Sequence, residues 1–177
     1  MNFFRESKNF LTEENINYIE NVILKENFPF YKSEYSTSLQ NKHPFLFHLL
    51  LRRPEDNYEK RINSIYYEDI IKISESFFKK LNIKYKEILR MCINFSYNNG
   101  LKKCKTHQDH KYAHKQLIVY LNDADPCSKT IILNKNKKIF KKVTPEKYKG
   151  ICFENLPHYH FYPKTGERII LITTFKD

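Results

Sequence analysis

The sequence predicts an α+β domain in which helices come first and a set of closely spaced antiparallel strands follows, packed as a sandwich or barrel. Two observations carry this. Up to about residue 87 the apolar residues recur at helical spacing; beyond it they fall in short runs with a period of two. The later runs are rich in β-branched and aromatic residues, and turn-forming clusters separate them.

The first helix is read from "LTEENINYIENVILKENF". Thr12 followed by two acids is a good N-cap with a favourable first turn. Ile16, Ile19 and Ile23 then mark one face, so the helix is expected over about 13–26. "FPFY" ends it. "YYEDIIKISESFFKKLNI" repeats the pattern through Ile70, Ile73, Phe77 and Leu81, which predicts a second amphipathic helix over about 66–81. The strands are expected in "EILRMCINFSY", "KQLIVYLND", "KTIIL", "KIFKKV", "KGICF", "PHYHFY" and "RIILITTF". Between them stand "NNG", "NDADP", "NKNK", "TPEKY" and "PKTG". No internal repeat and no Gly/Ser- or Pro-rich linker divides the chain, so one domain over 1–177 is expected, with a helical part about 1–87 and a β core about 88–175.

Composition narrows the class. The apolar fraction is 41%, below the usual ~45–50%, yet 14 Phe and 13 Tyr supply enough bulk for a core. The opening "MNFFRESKNF" has no continuous apolar run, so no signal peptide is expected. "LLL" and "RIILITTF" are too short to cross a bilayer. Four cysteines (92, 104, 127, 152) are scattered without a C-x-x-C, which fits a reduced, cytoplasmic chain. The formal charge of +11 admits a nucleic-acid partner without favouring one. Lys, Asn, Ile, Tyr and Phe all have A/T-rich codons, so genome composition and function are both open as sources of the basic charge. The basic run "NKNKKIFKK" reads as a solvated hairpin.

The chemistry concentrates in "KTHQDHKYAH", which holds three of the seven histidines. His107 and Asp109 are two apart, and on an extended chain such residues share a face. An imidazole and a carboxylate then aim at one point. Alone, an H-x-D is more often a solvated polar pair than a metal site. Near the C-terminus stand His158 and, ten residues later, Arg168, with the hairpin turn "PKTG" between them. Arg168 opens an otherwise apolar strand, where a charge needs a partner. Two histidines and one carboxylate leave open positions on Fe(II), and a guanidinium offers a planar fork to a carboxylate ligand.

Together these segments resemble the iron(II)- and 2-oxoglutarate-dependent oxygenases, in particular the prolyl-hydroxylase-like branch and its small phage-encoded members. "FSYNNGLKKCKTHQD" is similar to that family's Tyr-x-x-Gly segment leading into H-x-D. "LIVYLND" is similar to its strand after the metal motif, and "VTPEKYKGICFENLPH" to the segment that enters the distal histidine. The spacing from His158 through Gly166 to Arg168 matches the family's His-to-Arg spacing. The resemblance covers residues 88–175 by motif, and more weakly "NFPFY" and "HPFLFH". In place of the usual Gly-Gly-Glu-Thr after "YLND" stands "DPCSKT", which keeps only Thr130 and leaves the loop bordering the pocket open.

The resemblance implies a double-stranded β-helix, a jelly-roll or cupin-like core braced by the N-terminal helices. It implies a hydroxylase in which His107, Asp109 and His158 hold Fe(II) and Arg168 pairs with the far carboxylate of 2-oxoglutarate. O2 would be the oxidant, ascorbate a reductant, and succinate and carbon dioxide the products. Tyr97 would hydrogen-bond the cosubstrate, or be ordinary core with a satisfied hydroxyl. A protein side chain such as prolyl is the favoured substrate; a non-catalytic metal- or nucleic-acid-binding module on the same fold is the alternative. His160 shares a strand face with His158 and could take its place, although the Gly and Arg spacings favour His158. His110 and His114 read as loop residues near the mouth, and His43 and His48 as packing residues. A metallo-hydrolase pattern H-x-H-x-D-H is broken here by Lys105.

Overall fold

The computed structural model describes residues 3–35 and 42–177. Its scaffold is a seven-stranded antiparallel sheet with the order β1-β8-β5-β10-β4-β3-β2. These strands are β1 (Phe4–Ser7), β2 (Tyr31–Tyr35), β3 (Lys42–Leu51), β4 (Glu87–Tyr97), β5 (Lys115–Tyr120), β8 (Gly150–Glu154) and β10 (Glu167–Lys176). A second sheet has the order β7-β6-β9, from β6 (Thr130–Leu133), β7 (Ile139–Val143) and β9 (His158–His160). Ile118, Ile151 and Ile170 of the large sheet pack with Ile132 and Val143 of the small one. This two-layered arrangement is the double-stranded β-helix, within the α+β class.

The central strands β4 and β10 are buried on both faces, which is why "RIILITTF" reads as a continuous apolar run. One face of β10 carries Ile169, Leu171 and Phe175 into the core beneath the helices. The other carries Ile170 and Ile172 into the core between the sheets, with Arg168 on the same side.

The helices cover the first of these faces. α1 (Glu13–Tyr18) opens with Thr12 as its cap: the Thr12 hydroxyl accepts from Asn15 N at 3.2 Å, and Asn15 Oδ1 accepts from Thr12 N at 3.3 Å. The chain then widens into one π-helical turn, Ile19–Ile23, closed by Leu24 N donating to Ile19 O at 3.0 Å. α2 (Tyr67–Lys80) has Glu68 and Asp69 in its first turn and Lys79 and Lys80 in its last, as the helix dipole favours. It buries Ile70, Ile73 and Phe77 completely, each stabilising by roughly 1.5–3 kcal/mol. A buried hydrogen bond of 2.7 Å between Ser74 Oγ and Thr173 Oγ1 fixes α2 on β10.

Two expectations need correction. The part about 1–87 is not only helical: it contributes β1, β2 and β3 to the large sheet. And "PKTG" does not close a hairpin. β9 pairs with β6 in the small sheet, whereas β10 pairs with β4 and β5, so this turn carries the chain from one sheet to the other. Gly166 supplies the positive φ of 65° that the crossing requires.

Candidate active site

The segment before β5 is pinned to β9 by a single antiparallel bridge. His107 N donates to His158 O at 3.0 Å, and His158 N donates to His107 O at 2.9 Å. The bridge brings two imidazoles that are far apart in sequence to a ring-centroid distance of 4.5 Å. Asp109 follows, and its Oδ2 lies 3.7 Å from His158 Nε2. One ligand atom from each of His107, Asp109 and His158 lies within 4.8 Å of the other two.

The donor set fits a divalent metal. His107 Nδ1 lies 2.9 Å from the Lys105 carbonyl and His158 Nδ1 3.1 Å from the Leu156 carbonyl. Each Nδ1–H donates to its own carbonyl, which leaves Nε2 as the metal-binding nitrogen of each ring, that of His107 after loss of its proton. Asp109 Oδ2 is buried without a hydrogen-bond partner among the described residues. A buried carboxylate oxygen left so is costly unless something cationic takes it.

Electrostatics agrees. Burial alone would lower the pKa of His107, but the hydrogen bond to Cys104 and the charge of Asp109 raise it to about 9. Burial alone would raise Asp109, but His158 and His107 hold it at about 2. His158 is pushed down to about 4 by burial and by the charge of His107. The ionised carboxylate thus sits between one protonated and one neutral imidazole.

Arg168 is buried to 1% exposure with no ion pair among the described residues. Its Nη2 donates to Thr130 Oγ1 at 2.8 Å, while Nε and Nη1 are buried and unpartnered. The Tyr120 hydroxyl meets the same Thr130 hydroxyl at 2.7 Å, and the guanidinium carbon lies 5.4 Å from the Tyr120 ring centroid. A fully buried cation with two idle donors is arranged to receive a carboxylate.

All four residues line one cavity of about 1030 Å³ between the sheets, together with Thr130, His160, Tyr162, Ile118, Ile170 and Ile172. His160 is engaged elsewhere: its Nδ1 is 3.2 Å from Cys104 Sγ and its Nε2 3.4 Å from Ser96 Oγ. His110 is buried, held by Thr174 Oγ1 at 2.8 Å and Glu55 Oε1 at 3.1 Å, and His114 Nδ1 donates to the Tyr112 carbonyl at 2.9 Å. His48 is a buried packing residue with both ring nitrogens bonded, to Pro29 O at 2.6 Å and Ser64 Oγ at 2.7 Å.

Tyr97 is not brought to the cavity. It pairs with Glu167 at the end of β4, and strand alternation puts it on the face opposite Asn94 and Ser96, which do line the cavity. Tyr120, on β5, is the tyrosine that meets Arg168. Cys104, Tyr120, Tyr162 and two further arginines, Arg53 and Arg90, were not singled out by sequence. Tyr120 was readable in "LIVYLND", but nothing local marks the others.

No family model matches the chain, and no curated sequence matches it. Solved structures do. An oxidoreductase of the 2OG-Fe(II) oxygenase family from Burkholderia pseudomallei superposes with a TM-score of 0.76 at 12% identity, covering 98% of this chain and 84% of that one. A prolyl hydroxylase from Trichoplax adhaerens, solved with a hypoxia inducible factor peptide fragment, gives 0.68 at 15% identity, with 98% and 83% covered. The viral collagen prolyl hydroxylase of Paramecium Bursaria Chlorella virus-1, solved with 2OG, gives 0.57 at 15% identity, with 99% and 96% covered. Sequence identity this low speaks to the fold, and on that ground the chain has the double-stranded β-helix fold of the 2OG-Fe(II) oxygenases.

Proposed function

We propose that this protein is an Fe(II)- and 2-oxoglutarate-dependent dioxygenase that hydroxylates its substrate, with a protein side chain such as prolyl favoured. The observation that carries this is the content of one cavity: a His-Asp-His cluster whose carboxylate has an idle buried oxygen, and a buried guanidinium that meets no carboxylate, both among the described residues. Each lacks what the other half of a metal–oxoacid complex supplies.

His107, Asp109 and His158 are the metal ligands in this reading. The Lys105 and Leu156 carbonyls fix their tautomers and ring orientation. Arg168, steadied by Thr130, takes the far carboxylate of 2-oxoglutarate, with Tyr120 stacked behind it. Ile118, Ile170 and Ile172 form an apolar wall that excludes water from the reacting centre. When bound, the metal, 2-oxoglutarate and O2 supply the oxidising chemistry, with succinate and carbon dioxide released.

The test is 2-oxoglutarate turnover by the Fe(II)-loaded protein against a panel of peptides, nucleotides and amino acids. Succinate formation coupled to hydroxylation of one panel member is expected. Metal and 2-oxoglutarate binding with no succinate under any condition would point to the non-catalytic module instead.

A further inference from the structure

The cavity contains more cationic groups than the metal site and Arg168 explain. Arg53, just beyond β3, and Arg90, on β4, both line it and both are half-buried. Arg53 Nη2 donates to the backbone carbonyl of Asp109 at 3.3 Å, but its Nε is buried without a partner among the described residues. Arg90 lies on the cavity face of β4, in step with Asn94 and Ser96, and its guanidinium makes no hydrogen bond or ion pair among the described residues. Lys111 lines the same region.

No carboxylate forms an ion pair with either guanidinium among the described residues. Glu55 is taken up by His110 at 3.1 Å and by the Tyr112 hydroxyl at 2.9 Å. Asp56 Oδ2 accepts from the Arg53 backbone N at 3.2 Å rather than from its guanidinium. Asp109 feels both arginines, but a divalent metal would claim its charge and leave them facing a positive centre.

This pair is remote from Arg168. In the β4–β10 ladder Arg168 stands opposite Ser96, and Arg90 stands opposite Thr174. Six residues of strand separate the two positions, about 20 Å. A 2-oxoglutarate anchored on Arg168 is far too short to reach Arg90. Tyr112 lines the cavity at the Arg90 end, its ring stacked on His110, whose Nε2 meets Thr174 Oγ1 opposite Arg90.

We propose that Arg53 and Arg90 anchor an oxyanion of the substrate, a carboxylate or phosphate held at the opposite end of the cavity from Arg168. This rests on the reading of the cavity as an Fe(II)/2-oxoglutarate site. It narrows the substrate class to molecules that carry an anionic group beside the carbon to be hydroxylated, whether an acidic residue of a peptide or a phosphorylated nucleoside. Bonds from the two guanidiniums to one anion would be charge-assisted, each about twice as strong as a neutral one.

Calorimetric titration with inorganic phosphate tests it, in the metal-free protein and in the protein loaded with Co(II) and saturating 2-oxoglutarate. Saturable phosphate binding is expected in both, tighter in the loaded form, where the metal has taken the charge of Asp109. The double variant Arg53→Gln/Arg90→Gln should bind roughly tenfold more weakly or worse, and Arg53→Lys/Arg90→Lys should recover part of the loss. Thermal melts establish that each variant is folded, and the Lys pair serves if the Gln pair is not. No saturable binding by the wild type, or binding that neither double variant alters, overturns the proposal. Phosphate binding that depends on both arginines in a protein that takes up neither Co(II) nor 2-oxoglutarate would keep the anion site and sink the oxygenase reading beneath it. The source is then read by competition, with Ac-Pro-Glu-NH2 against Ac-Pro-Gln-NH2 and a nucleoside monophosphate against its nucleoside. The charged member of one pair should displace phosphate better than its neutral twin; equal displacement within both pairs counts against the proposal.

Discussion

His107 and His158 are each other's backbone partners, with reciprocal N–H···O bonds of 3.0 and 2.9 Å, and their rings stand 4.5 Å apart by centroid. One bridge thus sets the separation of two side chains that come from distant parts of the chain. The geometry of the candidate metal centre is built into the backbone before any metal arrives.

That bridge separates the roles of the two histidines of β9. His158 faces Asp109, whereas His160 is held by Cys104 and Ser96. His158→Ala should abolish metal binding and uncoupled 2-oxoglutarate decarboxylation. His160→Ala should retain the metal and lose at most part of the activity. Metal content by atomic spectroscopy after dialysis reads this directly, and His160 essential with His158 dispensable would reverse the assignment.

Arg168→Ala should weaken 2-oxoglutarate binding while sparing the metal. A hydrogen bond to a charged group is worth about 1.5–3 kcal/mol, so a loss of roughly ten- to hundredfold is expected. The dissociation constant of 2-oxoglutarate, measured with Co(II) in place, checks it. An unchanged constant would remove Arg168 from the site.

Metal affinity should rise with pH. With a pKa of about 9 for His107, about 4 for His158 and about 2 for Asp109, only His107 must lose a proton to the incoming metal near neutrality. Each unit of pH between about 6 and 8 should therefore tighten binding about tenfold, with release of one proton per metal. Calorimetry in buffers of different ionisation heat counts that proton. A pH-independent affinity over this window would contradict the charge state assigned to His107.

Gly150→Ala should destabilise the fold. A Cβ there would stand 2.6 Å from the Phe77 ring of α2 and 3.0 Å from Phe10. Overpacking of this kind costs about 1–3 kcal/mol. Urea denaturation midpoints measure it; a variant as stable as the wild type would mean that Phe77 moves aside freely.

What the sequence reveals follows from how local each signal is. α2 announces itself because its apolar stripe and terminal charges lie within one segment. The strands after residue 87 are legible from period and turn residues. β2 is not: "YKSEY" is an edge strand without an apolar alternation to betray it. "PKTG" looks like a hairpin because a short polar turn between two strands usually is one, and only pairing partners reveal a crossing between sheets. His107 and Asp109 are legible because the two-residue period sets them side by side. Tyr97 fails by the same rule, since one step along β4 from Ser96 turns a side chain away from the cavity. Arg53 and Arg90 reach one cavity only through the fold, and no spacing in the chain foretells it.

The central claim is that His107, Asp109 and His158 hold an iron to which 2-oxoglutarate also binds. The most direct measurement is the visible absorption of the purified protein with Fe(II) and 2-oxoglutarate under anaerobic conditions. A weak metal-to-ligand charge-transfer band is expected in the wild type and none in His107→Ala or Asp109→Ala. A band that survives in both variants, or that never forms in the wild type, would contradict that claim.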